Sequence, residues 1–215
     1  MLYLVACDHD KAQTYREGTK LNGPENKTRK EFRELLIKTI EEYDPALIAE
    51  EHHPEFLKRN RLKSIALEVA SERRICHRFC EPSISERRKL GIDEELPFFS
   101  PHTPGDWSDR IGTIQESYRH DFAHRWPIRE EFWIAQLGED IQKKALFICG
   151  AGHRETLRKR LETRGVEVKI IAKRFGAARM RESDFAVYRE IRRNGFPPAS
   201  GCFCSTPPAL DTDLA

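Results

Sequence analysis

Lys144-Ala145-Leu146-Phe147-Ile148-Cys149-Gly150-Ala151-Gly152-His153 is the stretch whose reading decides the fold. The apolar run from Ala145 to Cys149 is too short for a helix and reads as a strand buried on both faces. Gly150 and Gly152 turn the chain into a helix over Arg154 to Arg164, capped by Gly165. Strand, tight turn and helix make half of a βαβ unit, and the pattern recurs upstream. The first seven residues read as a buried strand that stops at Asp8-His9-Asp10. Lys11 to Lys30 is polar and reads as a loop long enough to be a functional insertion. Phe32, Leu35, Leu36, Ile40 and Tyr43 then recur at helical spacing, with Thr28 as the expected N-cap. Ala46 to Ala49 is a second buried strand, ending in Glu50-Glu51-His52-His53. Ser64 to Arg74 reads as a helix, Ile75 to Cys80 as a third strand running into Glu81, and Ser85 to Leu90 as a helix closing at Gly91. An irregular loop follows Ile92, a helical region covers Asp109 to His124, and Pro127 opens a further helix. Val166 to Ile171 is the last strand, and a helix is expected over Ser183 to Arg193. Strands alternating with helices imply an α/β fold, a mainly parallel sheet with helices on both faces. Residues 1–194 form the expected single domain, and 195–215 the expected flexible tail.

Composition narrows the function classes. A length of 215 residues suits one domain. Apolar residues make up 39% and charged residues 33%, so a sizeable core lies beneath a heavily solvated exterior. The apolar runs fall far short of the roughly 20 residues a membrane span needs, and no membrane partner is expected. The N-terminus has no basic region ahead of its apolar residues, so the expected location is the cytoplasm. Lys and Arg number 37 against 35 Asp and Glu, and the net charge of +2 disfavours a nucleic-acid partner. The Arg-rich segments Arg73 to Arg78 and Arg154 to Arg164 have glutamates in or beside them and read as solvated helix surface. The six cysteines are expected to be reduced thiols. Cys76, Cys80, Cys202 and Cys204 lack zinc-knuckle spacing, which favours buried or incidental cysteine over a zinc site. Gly150-x-Gly152 resembles a dinucleotide fingerprint, but Glu155 stands where the third glycine belongs. The next strand ends at Lys173-Arg174 rather than in an acidic ribose ligand, which argues against the NAD pattern but would tolerate a 2′-phosphate, and the motif's late position in the chain disfavours an NADP reading as well.

In parallel sheets ligands sit beyond the carboxyl ends of the strands. Four such ends here carry ionisable groups: Asp8-His9, Glu50-Glu51-His52, Glu81 and His153. A small residue, Ala6 or Gly150, stands three positions before each of His9 and His153 and permits a sharp turn. A carboxylate placed just past a buried strand suits a general base or a metal ligand, and two histidines with a carboxylate form a divalent-metal set.

The ordered elements Leu4 to His9, Pro45 to Glu51, Arg129-Glu130-Glu131-Phe132 and Gly150 to His153 resemble the TraB / TIKI / erythromycin-esterase / ChaN-like superfamily over residues 1–173. That superfamily carries two GxxH-type motifs, a glutamate after an internal strand, and an arginine on a helix before the second motif. The resemblance implies His9, Glu51 or Glu50, Arg129 and His153 as catalytic residues, with Ala6 in place of the first motif's glycine. It implies a peptidase- or esterase-like hydrolase acting on a small molecule or peptide, with a divalent metal at His9, His153, Glu51 and Glu81 or with a metal-free His-carboxylate base. Arg129 would stabilise an oxyanion or bind a substrate carboxylate. The alternative is a non-catalytic small-ligand or haem-binding protein of the same fold. Glu51→Gln is expected to leave the fold intact, because it preserves side-chain size.

Overall fold

The computed structural model describes residues 1–19, 26–92 and 121–176. Five strands form one sheet: β1 (Leu2–Cys7), β3 (Leu47–Glu50), β5 (Cys76–Phe79), β6 (Ala145–Gly150) and β7 (Val168–Phe175). Their order is β5-β3-β6-β1-β7, and every pairing is parallel. A separate antiparallel pair joins β2 (Thr14–Arg16) to β4 (Leu62–Ser64). The helices are α1 (Lys27–Tyr43), α2 (Pro54–Arg59), α3 (Ile65–Arg73), α4 (Ile84–Lys89), α5 (Trp126–Leu137) and α6 (Arg154–Glu162).

Alternation along β1 shows why the sheet is covered on both sides. Leu2, Leu4 and Ala6 point into one core with Phe147, Trp133 and Leu137 of α5, and Leu157 and Leu161 of α6. Tyr3, Val5 and Cys7 point into the other, with Phe32 and Leu36 of α1, and Ile65, Ala66 and Val69 of α3. All six residues of β1 and all six of β6 are buried. These central strands therefore read as continuous apolar runs.

The expected α/β architecture is observed, and the differences are local. The expected loop from Lys11 holds a π-helical turn over His9–Gln13 and then β2, whose three residues are too few to show periodicity. Asn26 rather than Thr28 precedes α1, and it makes no side-chain cap. Helix α2 begins at Pro54, where proline needs no hydrogen-bonded N–H, and His53 caps it by accepting from the Glu55 N–H. The expected helix over 109–124 falls largely outside the described residues, whose last part, Asp121–Arg125, is a π-helical turn. The expected helix over 183–193, the domain boundary at 194, the tail, Cys202 and Cys204 also lie outside them. No helix among the described residues is long and apolar enough to cross a membrane.

Candidate functional site

Parallel register brings the ends of β1, β3 and β6 side by side, with Cys7 opposite Gly150 and Glu50 opposite Ile148. Ala6 and Gly150 are consequently not equivalent. Ala6 lies inside β1 opposite Cys149, and its small side chain is core packing. Gly150 ends its strand, where a Cβ would come within 2.7 Å of His9 Nε2 and 3.3 Å of Glu51 Oε2. A Cβ on Gly152 would meet the Trp126 ring at 2.5 Å. Both glycines make room for site side chains, so the turn has a reason independent of any phosphate.

Glu51, buried just past β3, is the hub. Its Oε2 accepts the Gly150 N–H at 2.6 Å and lies 3.4 Å from His9 Nε2. Its Oε1 accepts from Arg129 Nη2 at 2.5 Å and lies 3.6 Å from His153 Nε2. Burial alone would raise the carboxyl, but His153, Arg129 and His9 around it hold it well below the usual carboxylate range. Arg129 from α5 also forks onto Glu81, with Nε to Oε1 and Nη2 to Oε2 both at 2.9 Å. Glu81 further accepts from Arg87 Nη2 at 2.5 Å and from the indole N–H of Trp133 at 2.9 Å. Burial works against the charged guanidinium of Arg129, yet Glu51 and Glu81 outweigh it and hold it protonated.

The two histidines are prepared differently. His153 lies between Trp126, at 4.2 Å between ring centroids, and Trp133, at 4.7 Å. Its Nδ1 is 2.9 Å from Glu130 Oε1, and a carboxylate can only accept, so Nδ1 carries a proton. Nε2 faces Arg129 Nη1 at 3.4 Å. Glu130 is itself fixed by Thr156 Oγ1 at 2.5 Å and Arg160 Nε at 2.9 Å. His9 donates from Nδ1 to Gln13 Oε1 at 2.5 Å, because the Gln13 amide N–H is committed to Glu50 Oε2 at 2.5 Å. Burial pulls the His9 imidazolium down, but the charge and hydrogen bond of Glu51, with the Gln13 bond, push it up to about 9.

Glu50 and Glu51 face different surroundings, which separates the two alternatives left open by the sequence. Glu50 is enclosed by Ser64 Oγ at 2.5 Å, His77 Nε2 at 2.9 Å and Gln13. Burial pushes it up, but its hydrogen bond to His77 and the neighbouring His52 bring it below its ordinary value. It touches none of His153, Arg129 or Glu81 through a hydrogen bond or ion pair among the described residues, and reaches His9 through Gln13. Glu51 is the carboxylate that meets both histidines.

His9, Glu51, Glu81, Arg129 and His153 are thus brought together. Sequence reasoning missed Gln13 and Glu130, the groups that orient the two histidines. Glu130 stood beside Arg129 in the quoted motif, but nothing in the linear pattern distinguishes it from Glu131. As arranged, His9, His153, Glu51 and Glu81 do not fit a divalent cation unless Arg129 is displaced, because its guanidinium already spans the two carboxylates. Among the described residues no group of three or more His, Cys, Asp or Glu is disposed to hold a metal ion. No protein-family model matches the chain, and no curated protein or solved structure matches it either.

Proposed function

We propose that the chain is a hydrolase, peptidase- or esterase-like, with its active site at the carboxyl ends of β1, β3 and β6. One observation carries this reading: Glu51 meets both His9 and His153, and each imidazole has its second nitrogen oriented by its own partner. A core does not need this arrangement. Burying carboxylates costs several kcal/mol each before pairing, on the order of what well-packed apolar residues would save, and such clusters concentrate where chemistry is done.

The chemistry divides between the histidines. His153 Nε2, with its lone pair fixed by Glu130, takes a proton from water, whose oxygen attacks the acyl carbon. His9, protonated at neutral pH, gives its Nε2 proton to the leaving alkoxide or amine, and Glu51 stabilises the imidazolium before transfer. Arg129 holds Glu51 and Glu81 in place rather than meeting substrate. No step requires a metal. The resemblance of the ordered motifs to those of the TraB / TIKI / erythromycin-esterase / ChaN-like superfamily supports the same class. A cytoplasmic setting belongs to this reading and is supported by the free, buried thiols of Cys7, Cys80 and Cys149.

The test is hydrolysis of p-nitrophenyl esters and aminoacyl p-nitroanilides by wild type, His153→Asn and Glu130→Gln, with and without EDTA. EDTA-insensitive turnover that falls about 100-fold in His153→Asn is expected. Turnover abolished by EDTA and restored by a divalent ion would return the metal form. No turnover with a Soret band in the purified protein would favour the haem-binding alternative.

A further inference from the structure

A buried imidazole has two ring nitrogens, and a folded protein normally finds a partner for each. His52 departs from this. It follows Glu51 directly, and its backbone is fixed on both sides, its N–H donating to the Glu50 carbonyl at 2.9 Å and its carbonyl accepting from the Glu81 N–H at 3.2 Å. The residue is only 7% exposed, yet Nε2 has no hydrogen-bond partner among the described residues. The ring lies 5.1 Å from that of His9 and is stacked nearly parallel on Phe56, which is itself 52% exposed. A phenyl ring would fill this place without the cost of an unmatched polar atom. His52 thus stands beside the proposed proton donor and against the half-exposed Phe56, with Nε2 enclosed and unmatched.

The cations nearby are spent. Arg129 is divided between Glu51 and Glu81, and His9 is paired with Glu51. A substrate carboxylate would therefore meet no uncommitted counter-charge beside His52, whereas a neutral carbonyl needs only the one hydrogen bond that Nε2 can offer. We infer that His52 is a substrate-contacting residue whose Nε2 hydrogen-bonds the carbonyl oxygen of a neutral ester or amide, a role the family resemblance would give to Arg129. An imidazole N–H that only polarises a carbonyl leaves acid–base chemistry to other groups. This inference rests on the hydrolase reading for its substrate class, although the unmatched nitrogen stands by itself.

Ring nitrogens of His52 in 15N-labelled protein are followed by NMR during addition of p-nitroacetanilide, a slowly reacting amide, with acetate as the charged comparison. Turnover of p-nitrophenyl acetate and thermal midpoints are measured for His52→Phe and His52→Asn. The amide, and not acetate, is expected to shift His52. His52→Phe is expected to lose kcat/KM by a factor on the order of 10 to 100 while its thermal midpoint holds or rises, and His52→Asn to recover part of the loss. Undiminished turnover in His52→Phe, or a wild-type His52 unmoved by the amide while the ester is hydrolysed, overturns the inference and leaves the hydrolase reading standing. A shift by acetate alone overturns the neutral substrate class. If wild type hydrolyses neither ester nor amide but the amide shifts His52, the hydrolase reading fails and the contact stands. Should His52→Phe not fold, the wild-type titration and His52→Asn decide.

Discussion

Glu51→Gln is isosteric, and from sequence it is the mild way to remove a base, but the structure makes it costly. Glu51 accepts the Gly150 N–H on one oxygen and an Arg129 N–H on the other. Glutamine has a single oxygen, so its amide N–H₂ must face one of those donors in either orientation. One hydrogen bond to a charged group, worth about 1.5–3 kcal/mol, is replaced by two opposed donors. Removing one partner of a buried ion pair costs roughly 3–5 kcal/mol when the other is stranded, and Arg129 keeps Glu81, so the lower end applies. We expect a destabilisation of about 3 kcal/mol near neutral pH, measured by urea unfolding. The pH dependence sharpens the test. Because His9 is raised from 6.5 to about 9 in the fold, its stabilising effect is fully present below the unfolded value and lost as pH rises through about 9. The charge of Glu51 is the leading cause of that rise, so the deficit of Glu51→Gln should be large near pH 6 and shrink above about 9. It should shrink again in acid, because Glu51 is depressed and its own contribution is lost as pH falls below the usual carboxylate range. A loss under about 1 kcal/mol, or a deficit unchanged across this range, would refute the hub role.

Arg129→Lys should lower stability as well as turnover, by about 2 kcal/mol, because an ammonium cannot reproduce the fork onto Glu81 while reaching Glu51; equal urea midpoints for the two forms would show that the fork is dispensable. Gly152→Ala should displace Trp126 from His153, read as a change in Trp126 fluorescence together with lower ester turnover, since the added Cβ would lie 2.5 Å from that ring. Unchanged fluorescence would mean that the backbone absorbs the methyl group. In alkylation mapped by mass spectrometry, exposed Cys76 should label in the native protein. Cys7 and Cys149, raised well above the ordinary thiol range by burial, and Cys80, pushed up to about 12 chiefly by burial, should label only on unfolding. Native-state labelling of Cys149 would contradict the two-sided cover of β6.

The sequence by itself determined the sheet. Apolar runs such as Ala145 to Cys149 leave no polar face for water, and alternation with amphipathic helices then requires parallel crossovers. It also placed ionisable residues at the strand ends, because a chain leaving a buried strand must pass back into polar surroundings. The short elements β2, α2 and β4 were not legible, since three to six residues are too few to establish a period. Which glutamate serves as the hub was undecided in the sequence, because successive residues in a strand differ only in the face they take. Pairing of β3 with its neighbours sends Glu50 to Ser64 and His77 and Glu51 to Gly150 and Arg129. Only tertiary structure could assign Gln13 and Glu130 to the two histidines, commit Arg129 to two carboxylates and leave His52 Nε2 unmatched. Hydrogen bonding depends on distances of a few ångströms between groups from separate elements, and a linear pattern does not carry those distances.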